Sequence, residues 1–207
     1  LRPRGVADLS IVYPCYNEVE NLDEIVRRTQ QAIAGRNMEV IMVDNGSTDG
    51  TAQKLGMVLA HVQAESFRAV HVTVNQGYGH GILEGVRAAR GDVICWTHAD
   101  LQVEPTDVVA AYDAYASHPD WTHHVLKGRR TGRSVFDATF TAGMSLAATV
   151  LLGVRLTDIN AQPKMFPRAF LECMPEPPTD FSLDLYMLYQ ARMSGYPILE
   201  HPMPFGR

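Results

Sequence analysis

His98, Asp100 and Gln102 stand at alternate positions directly after the apolar run Val93-Ile94-Cys95-Trp96. The run reads as a buried strand, and in an extended chain alternate side chains share one face. An imidazole, a carboxylate and an amide would then converge where the strand ends, and all three are competent ligands for a divalent cation or neighbours for a phosphate. The competing expectation is an ordinary polar strand end, in which Asp100 begins a turn or caps a helix opening at Pro105.

Three more polar clusters close apolar runs in the same way: Pro14-Cys15-Tyr16-Asn17-Glu18, Asp44-Asn45-Gly46-Ser47-Thr48-Asp49-Gly50-Thr51 and Asn75-Gln76-Gly77-Tyr78-Gly79-His80-Gly81. A carboxylate such as Asp44 at a strand end can accept hydrogen bonds from a ribose diol or from base N–H groups, while Gly46 and Gly50 permit close backbone approach. Asp49 reads instead as a helix N-cap. The glycines after Asn75 superficially suggest a phosphate loop, but a dinucleotide fold carries its glycine loop after the first strand. That position holds Pro14 to Glu18 here, which argues against a nicotinamide site.

The elements that must position these clusters alternate. Strands are expected at 9–13, 39–43, 69–74 and 93–96. Helices are expected at 18–34, where Leu22, Ile25, Val26, Thr29 and Ile33 recur at helical spacing, at 51–59 and at 82–89. Such alternation predicts a mainly parallel sheet with helical crossovers, whose ligands bind outside the carboxyl ends of the strands. All four polar clusters lie at those ends. The second half is less regular: a basic run (Lys127-Gly128-Arg129-Arg130-Thr131-Gly132-Arg133), for which a solvated loop is the competing expectation, an uncharged stretch at 138–154, a last helix at 180–194 stopped by Gly195, and a final strand at 198–201.

With 207 residues, 46% of them hydrophobic, the chain can bury one sizeable core. A formal charge of −5 argues against nonspecific nucleic-acid binding, which calls for a basic excess. Cys15, Cys95 and Cys173 lack metal-type spacing and read as free thiols in a reducing, cytoplasmic compartment. The opening Leu1-Arg2-Pro3-Arg4-Gly5 lacks the apolar region of a signal peptide. The 138–154 stretch is shorter than the roughly 20 residues of a spanning helix. It reads as a core helix or as an element making peripheral contact with the cytoplasmic face of a membrane.

Tyr13-Pro14-Cys15-Tyr16-Asn17-Glu18, the Asp44 to Thr51 motif, Asn75 with Gly77 and Gly79, Gly91-Asp92 and Ala99-Asp100-Leu101-Gln102 resemble, in order and spacing, family 2 glycosyltransferases of the GT-A fold. The nearest likeness is to polyprenyl (dolichyl) phosphate mannosyl- or glucosyltransferases. The 158–166 segment and Phe181-Ser182-Leu183-Asp184 extend it over nearly the whole chain.

The resemblance implies a single α/β domain over 1–207 with a mixed, mainly parallel, Rossmann-like sheet. Residues 6–104 would be its nucleotide-sugar half and 105–207 its acceptor half. Pro14, Tyr16, Glu18, Asp44, Gly46, Asn75, Gly79, Asp100 and Arg207 would bind the nucleotide sugar, with Arg207 beginning a basic loop over the donor phosphates. Asp100 and Gln102 match two polar positions of the family's metal motif and would hold a divalent cation, Mg or Mn. At the first position of that motif His98 replaces an aspartate, which removes a negative charge and favours Mn, or leaves His98 to contact phosphate or ribose.

The implied reaction is inverting transfer of a sugar from GDP-mannose or a UDP-sugar to a polyprenyl phosphate. An acceptor that is already an anion requires no strong base. Arg129, Arg130, Arg133 and Lys164 are then the acceptor-phosphate candidates, with Asp100, Arg129, Arg130 and Asp184 as the catalytic set. Two alternatives stay open. One is transfer to a saccharide hydroxyl in surface-polysaccharide assembly, with Asp180 or Asp184 as base; the other is noncatalytic nucleotide-sugar binding.

Overall fold

The computed structural model describes residues 7–62, 66–131, 153 and 156–204. Seven strands form one sheet in the order β3-β2-β1-β4-β6-β5-β7. The first four are β1 (Ala7–Cys15), β2 (Met38–Asn45), β3 (Phe67–Val72) and β4 (Gly91–Trp96), all parallel. Strand β6 (Lys164–Pro167) pairs antiparallel with both β4 and β5 (Val125–Thr131), and β5 pairs in parallel with β7 (Ile198–Pro204).

Alternation within the strands sends side chains to two cores. Leu9, Ile11, Tyr13 and Cys15 of β1, with Val93 and Cys95 of β4, meet Leu22, Ile25 and Val26 of α1 (Leu22–Ala32), Leu55 of α2 (Thr51–Leu59) and Val108 and Tyr115 of α4 (Pro105–Ala116). Val12, Ile41, Val43, Ile94 and Trp96 face the opposite way, onto Ile82 and Val86 of α3 (Tyr78–Ala88) and Leu183, Met187 and Leu188 of α5 (Leu183–Met193). Each fully buried aliphatic side chain contributes roughly 1.5–3 kcal/mol, so the two cores hold the helices on both faces of the sheet.

The differences from the sequence expectations have local causes. Helix α1 begins at Leu22 rather than at 18, because Asn17 takes a left-handed φ of 56° and residues 18–21 form a turn. Helix α3 begins at Tyr78 rather than at 82. Its glycines are helical because neighbours pack onto their bare faces: a Cβ on Gly85 would lie 2.3 Å from Val12 Cγ1, and one on Gly81 2.7 Å from Asn45 Cγ. The basic run, to which the sequence assigns no element, is part of a strand, β5, up to Thr131. Strand β6 has no counterpart among the expected elements. Arg133, Arg207 and, apart from Gly153, the 138–154 stretch lie outside the described residues. Among the described residues no helix is long and apolar enough to cross a membrane.

Candidate functional site

The carboxyl ends of β1, β2 and β4 open into a cleft of about 400 Å³. It is lined by Pro14, Cys15, Tyr16 and Glu18 after β1, by Asn45 of β2, by Asn75, Gly77 and Tyr78 at the start of α3, by His98, Ala99 and Asp100 after β4, and by Phe181.

The first two turns are sewn together. Asn17 N–H donates to Ser47 Oγ (3.1 Å), Thr48 N–H to Asn17 Oδ1 (2.9 Å), Glu18 N–H to Thr51 Oγ1 (2.9 Å) and Val19 N–H to Asp49 Oδ2 (3.2 Å). Asp49 also accepts from the Thr51 N–H and hydroxyl, so it shapes the turn into α2. These bonds hold Tyr16 half-exposed at the mouth, 48% accessible. Asp44, at the end of β2, is 4% exposed; its Oδ1 accepts the Ser47 N–H (3.1 Å) and its Oδ2 lies 3.5 Å from His71 Nδ1.

Three glycines of the polar clusters let backbones approach each other. Gly46 has φ 72°, and a Cβ there would lie 2.5 Å from Asn75 N. Gly77 has φ 115°, and its Cβ would meet Thr179 O at 2.5 Å. At Gly79 a Cβ would meet Pro178 O at 2.7 Å. His80 N–H donates to Thr179 O (2.9 Å), fastening the 178–182 loop to the start of α3. That loop carries Phe181, 78% exposed, whose ring stacks on Tyr78 at 4.9 Å with an interplanar angle of 9°.

The alternation expected for His98, Asp100 and Gln102 does not continue through the site, because β4 ends at Trp96 and Leu101 adopts a left-handed φ of 61°. His98 and Asp100 both line the cleft, with His98 Nδ1 3.8 Å from Asp100 Oδ2. Gln102 is exposed outside the cleft lining, and its backbone N–H donates to Asp100 Oδ1 (3.0 Å). Asp100 therefore both begins a turn and faces the cleft. Burial pushes the His98 pKa below its ordinary value, against the pull of Asp100, so the imidazole is neutral near pH 7.

Behind the cleft lies a buried polar network. Asp184, 3% exposed in the first turn of α5, accepts from Trp96 Nε1 (3.0 Å) and from Gln162 Nε2 (3.2 Å), and its Oδ1 lies 3.3 Å from Lys164 Nζ. Tyr78 donates to Asp184 Oδ2 at 3.4 Å. Lys164 is fully buried and also donates to Ala161 O (2.6 Å); burial lowers its pKa, and Asp184 opposes that shift.

The other basic candidates diverge. Arg130 is held by Asp158, with Nη2 to Oδ1 at 2.7 Å and its backbone N–H to Oδ2 at 3.0 Å. Arg129, on the opposite face of β5, is exposed, with Nε 3.8 Å from Glu200 Oε2. Lys127 is buried against Glu200 at 2.9 Å. Asp180 accepts from the N–H and hydroxyl of Ser182 and so shapes the turn before α5, whose N-cap is Ser182 and not Asp180.

The donor set suits a hard or borderline cation. Among the described residues no group of three or more His, Cys, Asp or Glu side chains could hold a metal ion, so the described side chains would supply only part of a coordination shell. An accessible carboxylate facing an imidazole, with open volume beside them, matches cations that keep water and take substrate phosphate as further ligands. Asp100 and His98 fit such a group.

Sequence reasoning missed Asn45, Tyr78, Phe181 and Gln162. Tyr78 was inside a quoted motif but was read as loop, and Phe181 sat in the resemblance without a role. No local signal marks Gln162, whose partners are 22 and 84 residues away.

Residues 10–134 match the model described as glycosyl transferase family 2. The undecaprenyl-phosphate 4-deoxy-4-formamido-L-arabinose transferase of Pseudomonas fluorescens is 32% identical over 178 residues, covering 84% of this chain and 51% of that protein. The protein of the same name from Pseudomonas paraeruginosa is 29% identical with the same coverage. The chain spans about half the length of the curated relatives it matches. Among solved structures, mannosyltransferase PcManGT from Pyrobaculum calidifontis, in complex with GDP-Man and Mn2+, is similar with a TM-score of 0.72 at 20% identity, over 98% of this chain and 57% of that one. Glucosyl-3-phosphoglycerate synthase from Mycobacterium tuberculosis, in complex with Mn2+, UDP and phosphoglyceric acid, also gives 0.72 at 20% identity, over 96% and 69%. The sheet order and the cleft at its carboxyl edge are thus those of a GT-A fold, and with the family model covering more than half of its residues this chain belongs to glycosyl transferase family 2.

Proposed function

We propose that the chain is the catalytic domain of an inverting glycosyltransferase that moves a sugar from a nucleotide-sugar donor, GDP-mannose or a UDP-sugar, to a polyprenyl phosphate. The observation that carries this reading is one cleft of about 400 Å³ lined together by Tyr16, Glu18, His98 and Asp100. The undecaprenyl-phosphate transferases among its relatives support the acceptor class.

In this reading Pro14, Tyr16 and Glu18 hold the base and ribose, with Asp44 fixing the turn beside them. Asp100 and His98 face the diphosphate, where a bound Mg or Mn would neutralise charge developing on the leaving group. Gln102 contributes through its backbone bond to Asp100. Gly46 and Gly79 act by seating Asn75 and the Phe181 loop rather than by touching phosphate. Arg129 is the exposed cation for the acceptor phosphate, and Arg133 and Arg207 are the further candidates. Arg130 orders its strand through Asp158, and Lys164 with Asp184 supports the cleft wall from behind. An acceptor already ionised needs no proton removed, which agrees with a buried Asp184 committed to four partners.

The test is a turnover screen of nucleotide sugars with Mg2+ or Mn2+, with and without undecaprenyl phosphate. Sugar appearing on the lipid phosphate only when donor, cation and lipid are all present is the expected result. Transfer to a saccharide hydroxyl, with no stimulation by lipid phosphate, would overturn the acceptor assignment.

A further inference from the structure

The orientation of His98 has a structural cause. Its Nε2 lies 3.0 Å from Tyr78 Oη, and the two rings meet edge to face at 5.7 Å and 84°. A phenol has one hydrogen and two lone pairs. Tyr78 Oη accepts from Gln162 Nε2 at 3.3 Å and donates its only hydrogen to the Asp184 carboxylate at 3.4 Å. Asp184 is a charged acceptor, held in place by Trp96 and Lys164. Assigning the phenol hydrogen to the Asp184 carboxylate leaves the remaining lone pair of Tyr78 to accept from His98 Nε2, and the lone pair of the neutral imidazole then falls on Nδ1. Nδ1 is the atom that faces Asp100 Oδ2, 3.8 Å away.

Bonds from zinc to imidazole nitrogen and to carboxylate oxygen are about 2.0–2.2 Å long, so two bonds of that length span up to about 4.4 Å. The observed gap of 3.8 Å is shorter than that span, so one cation can lie within bonding distance of both atoms. A metal-bound histidine generally donates its other ring N–H to a partner that fixes its tautomer, which is the role the Tyr78 hydroxyl fills here.

We infer that His98 is a nitrogen ligand, through Nδ1, to the cation shared with Asp100, and that Tyr78, backed by Asp184, is the positioning residue that sets its tautomer. This rests on the reading of Asp100 as the metal carboxylate. Imidazole suits borderline metals and carboxylate with water suits Mg2+, so the site should bind Mn2+ or Co2+ in preference to Mg2+.

The experiment is pulsed electron paramagnetic resonance of Mn2+ bound to the full chain in the presence of UDP or GDP, on protein carrying 15N-histidine or natural-abundance histidine. Titrations of Mn2+ and Mg2+ accompany it, and thermal melts verify that each variant is folded. The expected wild-type spectrum shows a directly bound histidine nitrogen whose coupling changes with the 15N label, which separates it from base nitrogens. H98D should keep cation binding, lose that coupling and lower the Mn2+-to-Mg2+ affinity ratio about tenfold or more. Y78F should keep the nitrogen signature while weakening Mn2+ binding about tenfold, in the range typical of lost outer hydrogen-bond partners.

A wild-type spectrum without histidine coupling, together with loss of Mn2+ binding in D100A, would sink the His98 assignment and leave the Asp100 reading intact. Mn2+ binding unchanged in D100A would overturn the Asp100 reading itself. A Y78F protein with wild-type affinity would remove Tyr78 from the proposal.

Discussion

The two halves of the sheet treat charge in opposite ways. From β1 to β4 one ion pair, Glu39 with Arg68, lies inside the strands, but the polar side chains near the cleft gather in turns at the strand ends, where they bond to neighbouring backbone and leave Tyr16, Glu18 and Asp100 lining the cleft. From β5 to β7 the charges lie within the strands. Lys127 and Lys164 are buried, Arg130 is tied to Asp158, and Asp184 is enclosed by α5, β4 and β6. In the first half a conspicuous polar residue is a candidate for contact with ligand. In the second half such a residue mainly holds the wall against which the ligand rests, so identical residue types carry different meanings.

The largest expected effect tests the first half. Asp100→Ala should reduce glycosyl transfer about 10³-fold while leaving the melting temperature within a few degrees, because the lost group stabilises developing charge and is one-third exposed. Steady-state turnover and a thermal melt measure the two parts. An equal collapse of stability would erase the contrast between the halves.

Next comes the buried network. Asp184→Asn leaves Lys164 without its counter-charge in a fully buried position, and breaking such a pair costs about 3–5 kcal/mol. Urea denaturation should show this loss, and pairing Asp184→Leu with Lys164→Met should recover much of it. A stable Asp184→Asn protein with abolished transfer would instead make Asp184 a participant in the chemistry.

A smaller loss is expected at the seam between the halves. Gly77→Ala forces a Cβ against Thr179 O at φ 115°, at a cost of about 1–3 kcal/mol. The Phe181 loop should shift with it. Chymotryptic cleavage at Phe181 should then accelerate, and unchanged cleavage would mean that the loop is held independently of Gly77.

One carboxylate in each half should behave alike in acid. Burial raises the pKa of Glu39 and of Asp158, but hydrogen bonds from Ser10, Arg90 and Arg68 to the first, and from Arg130 to the second, outweigh it and leave both below their ordinary values. A depressed folded-state pKa gives stability that is complete above the unfolded value and is lost as pH falls through the folded one. Glu39→Gln and Asp158→Asn should each flatten the decline of urea stability below about pH 4. A flattening in one variant only would mark the other pair as structurally idle.

The smallest change in stability is expected at Arg129. Arg129→Ala should alter stability by less than about 0.5 kcal/mol, as an exposed side chain with one long contact. It should nevertheless raise the KM for lipid phosphate more than that for the donor; equal changes in both would remove it from the acceptor site.

The first half of the fold was the more legible because its signals are local. Helix α2 occupies the expected residues 51–59, and β1, β2 and β4 contain the expected apolar runs, since period-two burial and turn-forming residues act over a few positions. The start of α3 was misread because glycine normally disfavours a helix by about 1 kcal/mol relative to alanine. Here Val12, Val43, Asn45 and the 178–180 backbone pack where side chains would have been. Strand β5 was hidden by its arginines, and β6 by its shortness and by a lysine that becomes a core residue only through Asp184.

By itself the sequence determined the succession of strands, helices and polar turns, and hence that Tyr16, Glu18, Asp44 and Asp100 share one edge of a parallel sheet. Those properties follow from alternation and turn chemistry, which neighbouring residues set. Tertiary structure alone decided that Gln102 leaves the cleft, that Lys164 and Asp184 support it from behind, and that Tyr78 and Phe181 wall it. Burial and pairing there depend on residues up to 106 positions apart. Whether a charged group meets water or a partner is fixed by such distant contacts and not by the residues beside it in the chain.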